Sequence, residues 1–274
     1  MTTTHALTPG QFDTAAVDVD AYLDRVGLSR RPPSAAALHE LTAAHVRTFP
    51  FENLDVLLGR RPDLELSAIA DKLLRRGRGG YCYEHVLLFA AVLERLGYRT
   101  WRVLSRRKPQ GSGYRTHACV IVDVEGVEYL ADAGFGLGMP NPMRLTEGVR
   151  VDQSGKPHRM MLHDGAWTLE QHGPQGWIPL HAFDLEPAWP SDFELANHFI
   201  SSHPRSPFVG RVMVFRTEAE QVRSLLGHTF TTEYPDGHTE ERTVSTAEMP
   251  ELLGSLGIAL DEEESAGILR ALAG

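Results

Sequence analysis

The chain is 274 residues long, carries a formal net charge of −9, and is 42% hydrophobic and 23% charged. That length and balance fit a soluble globular protein of one to three domains, and the acidic excess argues against a nucleic-acid-binding surface. No apolar run reaches the roughly 18 residues of a membrane span, and the N-terminus lacks the basic-then-apolar pattern of a secretory signal. Two widely spaced cysteines make neither a disulfide framework nor a zinc site, so a cytoplasmic protein without a bound metal is expected.

Residues up to about Gly10 read as a disordered leader. Residues 12–26 are amphipathic, with Val17, Tyr22, Leu23 and Val26 as the apolar set and Gly27 to close the helix. A second helix starts at the cap Ser34 and carries Leu38, Leu41 and Val46. Residues 49–60 (FPFENLDVLLGR) are too apolar for a plain connector. A third helix, 67–76, leads into residues 75–98, RRGRGGYCYEHVLLFAAVLERLGY, around which the chain is organised.

From Tyr83 to Leu96 apolar residues fall on nearly every side of a helical wheel, which predicts a buried central helix closed by Gly97. Cys82 stands in its first turn, where unpaired N–H groups and the helix dipole favour thiolate over thiol. Gly79 and Gly80 are expected to let another molecule approach closely. Glu52 needs a partner if buried, and Arg78 can brace it with a two-pronged contact.

After Tyr98 the pattern turns to strands. A strand at 100–104 is followed by a basic, glycine-containing loop at 105–115 that holds Arg106, Arg107, Lys108 and Arg115. Segments 117–124 and 127–135 flank Glu125-Gly126, a two-residue hairpin turn. Residues 140–151 read as loop, and short strands at 159–162, 167–171 and 178–183 have barrel-like spacing. A helix at 192–201 precedes strands at 208–216, 229–233 and 239–244, and two helices at 247–256 and 261–272 end the chain.

The hairpin permits a geometric argument. If Val124 pairs with Val127, Cys119 lies opposite Asp132 and His117 opposite Gly134, so His117 and Asp132 share a face as diagonal neighbours. Gly134 leaves room beside the imidazole. An aspartate among Leu130, Ala131 and Ala133 needs a hydrogen-bond donor, and an imidazole N–H serves. Cys82, His117 and Asp132 then read as nucleophile, base and orienter. The plainer alternatives are a structural cysteine and a salt-bridged histidine on a sheet. Cys119 shares the face but sits mid-strand, and is taken as core.

Five ordered motifs now mark a resemblance: PFENLD at 50–55, RGGxC at 78–82, Thr116-His117, Asp132 with Gly134–Gly136, and a Ser-x-His-Pro-type segment at 201–208. The chain resembles the arylamine N-acetyltransferases. The resemblance implies an α+β multidomain fold: a helical N-terminal bundle carrying the nucleophile (1–98), a β-barrel carrying His and Asp (99–200), and a C-terminal α/β lid (201–274), with a cysteine-protease-like catalytic core. It implies a Cys82-His117-Asp132 triad that moves acetyl from acetyl-CoA, as co-substrate, to a small aromatic amine, hydrazine or aminobenzoate. It also places Phe51, Phe135 and Phe208 at the substrate cleft, although each alone would fit a core. The family's His-Asn-Gly after Cys-x-Glu is His85-Val86-Leu87 here, a departure that bears on the acceptor pocket.

Two other readings share the chemistry: an amide synthase acting on a polyketide thioester, and a cysteine hydrolase or transglutaminase-like enzyme. No phosphate-binding P-loop is present, so CoA must be held by scattered basic and backbone groups. The cationic loop before His117 makes Arg107 a candidate contact for an acidic acceptor or for CoA phosphates.

Overall fold

The computed structural model describes residues 11–109 and 113–273. The leader and residues 110–112 of the basic loop lie outside the described residues. Eight α-helices are described: α1 (Val19–Val26), α2 (Ala35–Thr48), α3 (Leu54–Leu57), α4 (Leu66–Ala70), α5 (Cys82–Arg95), α6 (Pro190–Ser202), α7 (Met249–Ser255) and α8 (Glu262–Ala273). None of them is long and apolar enough to cross a membrane. The first helices start and stop where local chemistry says they should. The Ser34 hydroxyl accepts from the Ala37 N–H at 3.2 Å, and Gly27 closes α1 at a φ of 72° that disfavours residues with a Cβ.

The strands form two sheets. One has eight strands in the order β5-β4-β3-β2-β9-β8-β7-β6 and curls into a nearly closed barrel. Its members are β2 (Arg99–Arg107), β3 (Arg115–Val124), β4 (Val127–Ala131), β5 (Met143–Arg144), β6 (Arg150–Gln153), β7 (Lys156–His163), β8 (Ala166–Gly173) and β9 (Gly176–Phe183). The other is antiparallel, in the order β1-β10-β11-β12-β13, from β1 (Phe51–Glu52), β10 (Met213–Thr217), β11 (Val222–Leu226), β12 (Thr229–Glu233) and β13 (Thr239–Thr243). The fold is α+β, and α5 lies inside it with every residue from Cys82 to Leu93 buried.

Several expectations change at this level. The loop expected to begin at residue 105 begins later, because β2 continues to Arg107 past a bulge between Ser105 and Arg106 and pairs there with β9. Residues 140–151 are not all loop, since β5 and the start of β6 lie within them. Phe208 stands outside β10, which begins at Met213, and β11 follows where no strand was expected. The apolar connector at 49–60 contributes β1, whose Phe51 pairs with Phe215 and Glu52 with Val214. Its apolar content therefore reflects burial in a sheet assembled from residues about 160 positions away in the chain.

Candidate active site

The site forms where three elements meet: the start of α5, the β3–β4 hairpin end and β9. The hairpin register is the expected one, with Val124 opposite Val127 and Val120 opposite Ala131. The ladder stops at Ala131, earlier than expected. Residues 132–138 turn away, with Gly136 and Gly138 at φ of 83° and 72°, and this turn presents Asp132 to the sheet. His117 Nε2 lies 2.9 Å from both Asp132 oxygens.

A second imidazole completes this group. His181 of β9 places Nε2 at 2.9 Å from Asp132 Oδ2, and its ring centroid is 5.0 Å from that of His117. The sequence reading missed His181, which looks like any polar residue in a short strand; the register that brings it to Asp132 depends on β9 joining β2. A carboxylate only accepts, so both histidines present Nε2–H to Asp132 and carry a lone pair at Nδ1. Burial alone pushes the Asp132 carboxyl up, but the electrostatic pull and hydrogen bonds of His117 and His181 hold it well below the usual carboxylate range. Burial pushes His181 down to about 4 despite Asp132, so it is neutral near pH 7.

His117, Cys119, Asp132 and His181 offer donor atoms within 4.8 Å of one another, a nitrogen, oxygen and sulfur set of the kind that suits zinc. Asp132 already takes the Nε2–H of both imidazoles, so the group is joined by shared protons. Cys119 Sγ sits 3.8 Å from Asp132 Oδ2 with no exposed surface, as expected of a core residue.

Cys82 occupies the first position of α5, and its Sγ lies 4.0 Å from the Thr116 carbonyl oxygen, one residue before His117. The Glu84 side chain accepts from the Tyr81 N–H at 3.0 Å and caps the same turn. The expected thiolate is not what this environment favours. Burial pushes the Cys82 thiol up to about 12, and Asp132 adds to this; N–H groups of Ala118 and Tyr83 and the Arg107 guanidinium offset only part of it. The dipole of one helix end is weaker than the loss of water around sulfur. The thiol needs a nearby base before it can act.

Gly134 does not serve the imidazole as expected. A Cβ there would stand 2.8 Å from the Cys82 carbonyl oxygen and 3.1 Å from its Cα, so the glycine lets the Asp132 turn close onto the nucleophile's backbone. Gly79 is filled from within as well: its Cβ would meet the Pro50 carbonyl oxygen at 2.0 Å. The close approach expected of a substrate is made by the chain itself.

Glu52 and Arg78 do form the expected two-pronged pair, with Glu52 Oε1 accepting from Nη2 at 2.8 Å and Nε at 3.0 Å. The pair is part of a larger group. Arg78 Nη1 also reaches Glu264 of α8 at 2.5 Å, and Lys72 joins Asp55 at 2.5 Å and Glu84 at 2.7 Å. Burial opposes the charge on both cations, yet the surrounding carboxylates raise them above their ordinary values. Asn53 clamps the same segment to the C-terminal part of the chain, donating to the carbonyls of Phe208 and Arg211 at 2.7 and 2.8 Å and accepting from the Met213 N–H at 2.8 Å.

Phe51 and Phe208 face each other with centroids 6.0 Å apart. Phe135 lies 5.2 Å from the rings of both His117 and His181, with the Arg107 guanidinium 4.8 Å from its centroid.

An N-acetyltransferase family model matches residues 34–264. An arylamine N-acetyltransferase of Mycolicibacterium smegmatis is 40% identical over 204 residues, covering 71% of this chain and 74% of that one. The chain belongs to the arylamine N-acetyltransferase family. The Salmonella typhimurium arylamine N-acetyltransferase / N-hydroxyarylamine O-acetyltransferase is 33% identical over 80% of this chain and 79% of its own. Among solved structures of the family, the Nocardia farcinica enzyme superposes with a TM-score of 0.89 at 35% identity, covering 96% of this chain and 98% of that one. The Mycobacterium marinum enzyme in complex with CoA gives 0.85 at 31% identity, covering 93% and 99%.

Proposed function

We propose that this chain transfers an acetyl group from acetyl-CoA to an aromatic amine or hydrazine through an acetyl-cysteine on Cys82. The observation that carries the reading is the Asp132 carboxylate holding the His117 Nε2–H at 2.9 Å beside the first turn of α5. The other nitrogen, Nδ1, is left as the base. In the first half-reaction Nδ1 takes the Cys82 proton as Sγ attacks the thioester carbonyl carbon. The tetrahedral intermediate then expels CoA, whose sulfur leaves with the proton held by His117. In the second, the amine nitrogen attacks the acetyl-cysteine, His117 accepts the amine proton and returns it to the departing Cys82 sulfur. A thiol this costly to ionise alone reacts when its proton goes directly to the imidazole. The Cys82 backbone N–H, without an intrahelical partner at the first helical position, serves as an oxyanion donor.

In this reading Phe51, Phe135 and Phe208 border the acceptor cleft, and Glu52, Arg78 and Gly134 brace the turn that carries Cys82. A three-part layout of 1–98, 99–200 and 201–274 around a cysteine-protease-like core fits it, with the nucleophile on a helix and the base and orienter on a sheet. The relatives' names favour acetyl transfer over a polyketide amide synthase or a hydrolase.

The test is mass spectrometry of the protein incubated with acetyl-CoA and no acceptor. One acetyl group on Cys82, absent in Cys82→Ala, is the expected result. Acetylation elsewhere, or none, overturns it.

A further inference from the structure

Resting on the acetyl-transfer reading, we propose that Arg107 recognises a negative charge on the acceptor, so that the preferred acceptors are aromatic amines bearing a carboxylate. Four cations stand in the segment before His117, and their surroundings differ. Arg106 donates to the Gly113 carbonyl. Arg115 is paired with Asp184 at 2.5 Å. Lys108 is exposed, one residue further along the loop at a φ of 52°. Arg107 is exposed and has no carboxylate within ion-pair distance among the described residues.

What singles out Arg107 is where it sits. Its guanidinium lies over the Phe135 ring at 4.8 Å, and that ring is 5.2 Å from His117. The guanidinium has no hydrogen-bond partner among the described residues, and its planar fork of N–H groups matches a carboxylate. An aromatic acceptor with its amine at His117 would run beside Phe135 and bring a ring substituent to Arg107. The strand geometry fixes this placement: Arg107 is the last residue of β2 and pairs with His181, the imidazole that shares Asp132. A cation beside a site without a carboxylate partner among the described residues, on a chain of net charge −9, is a local attraction for an anion that the rest of the surface repels.

The phosphates of CoA offer the same chemistry, and the experiment separates the two sources. Steady-state kcat/KM is measured for 3- and 4-aminobenzoate and for their neutral methyl esters, in wild type, Arg107→Gln and Lys108→Gln, together with KM for acetyl-CoA. The expected result is a loss for an aminobenzoate in Arg107→Gln that exceeds the loss for its ester by about ten- to a hundred-fold, the size of one charge-assisted contact, with KM for acetyl-CoA little changed. Lys108→Gln should keep the discrimination. Equal losses for acids and esters with a raised KM for acetyl-CoA would assign Arg107 to the donor and overturn the proposal; so would no loss at all. Acetylation of Cys82 by acetyl-CoA without acceptor is read in the same variants, so a failure of the acetyl-transfer reading shows separately.

Discussion

His181 Nε2 donates to Asp132 Oδ2 at 2.9 Å, so one buried carboxylate orients two imidazoles. Replacing His181 by Phe removes a hydrogen bond to a charged group, worth about 1.5–3 kcal/mol, and acylation should slow by roughly ten- to a hundred-fold. His181→Gln keeps a donor and should recover most of the rate. The lost bond also helps hold Asp132 low, so the acid limb of the acylation profile should move to higher pH in His181→Phe. Rapid-quench measurement of CoA release against pH checks this, and a wild-type profile would contradict it.

Cys82 is buried and its thiol is pushed up to about 12. Its reactivity near pH 7 therefore belongs to His117. Alkylation by iodoacetamide should label Cys82 in wild type and slow by about a hundred-fold or more in His117→Gln, the usual scale of general-base assistance. Cys119→Ala should keep most activity, since that thiol is fully buried and raised well above its ordinary value. Rapid labelling of Cys82 in His117→Gln would show that the helix start alone makes the thiolate.

Arg78 is buried and holds Glu52 and Glu264 together. Removing one partner of such a group leaves an uncompensated buried charge at a typical cost of about 3–5 kcal/mol. Glu52→Gln and Glu264→Gln should both lower stability in urea unfolding. Glu52→Gln should also lower activity, because the Glu52 carboxylate accepts the Leu54 N–H at 2.6 Å within the segment that carries Phe51. Unchanged midpoints would show that the group contributes specificity and not stability.

Four buried imidazoles are depressed mainly by desolvation: His85 and His181 to about 4, with His45 and His158 also below their ordinary value. In the unfolded chain they titrate near 6.5. As pH falls below that, the unfolded state binds protons the folded state refuses, and stability drops. Glu84, which burial raises to about 7 against the pull of Lys72, acts in the opposite sense between its unfolded value and 7, and offsets one of the four. The net expectation is a stability that declines from about pH 6.5 towards 4.5, at about 1.4 kcal/mol per pH unit for each net proton. Urea unfolding at pH 7 and pH 5 reads the slope, and His181→Gln should flatten it. A stability independent of pH over this range would contradict the prediction.

Gly134→Ala places a methyl group 2.8 Å from the Cys82 carbonyl oxygen. The Asp132 turn must then move away from α5. Misplacement of this kind costs activity more than stability, and a loss of about a hundred-fold in kcat/KM is expected with a small change in melting temperature. Wild-type turnover in Gly134→Ala would show that the turn has room to give.

Local patterns in the chain already contained the parts of the site that are close in sequence. Alternation and the Glu125-Gly126 turn set a register that ends at Ala131, one residue short of Asp132, and the all-round apolar run of α5 put Cys82 at the head of a buried helix. Glu52 and Arg78, 26 residues apart, were legible because a buried charge must find its opposite. The tertiary structure alone decided the rest. It brought His181 from 49 residues beyond Asp132, by pairing β9 with a β2 that runs past its bulge. It drew Phe51 and Glu52 into a sheet with β10, filled Gly79 with the Pro50 carbonyl, and buried the Cys82 sulfur until desolvation outweighed the helix dipole. Periodicity and turn chemistry act between neighbours in the chain, whereas sheet closure and desolvation depend on which distant residues end up in contact.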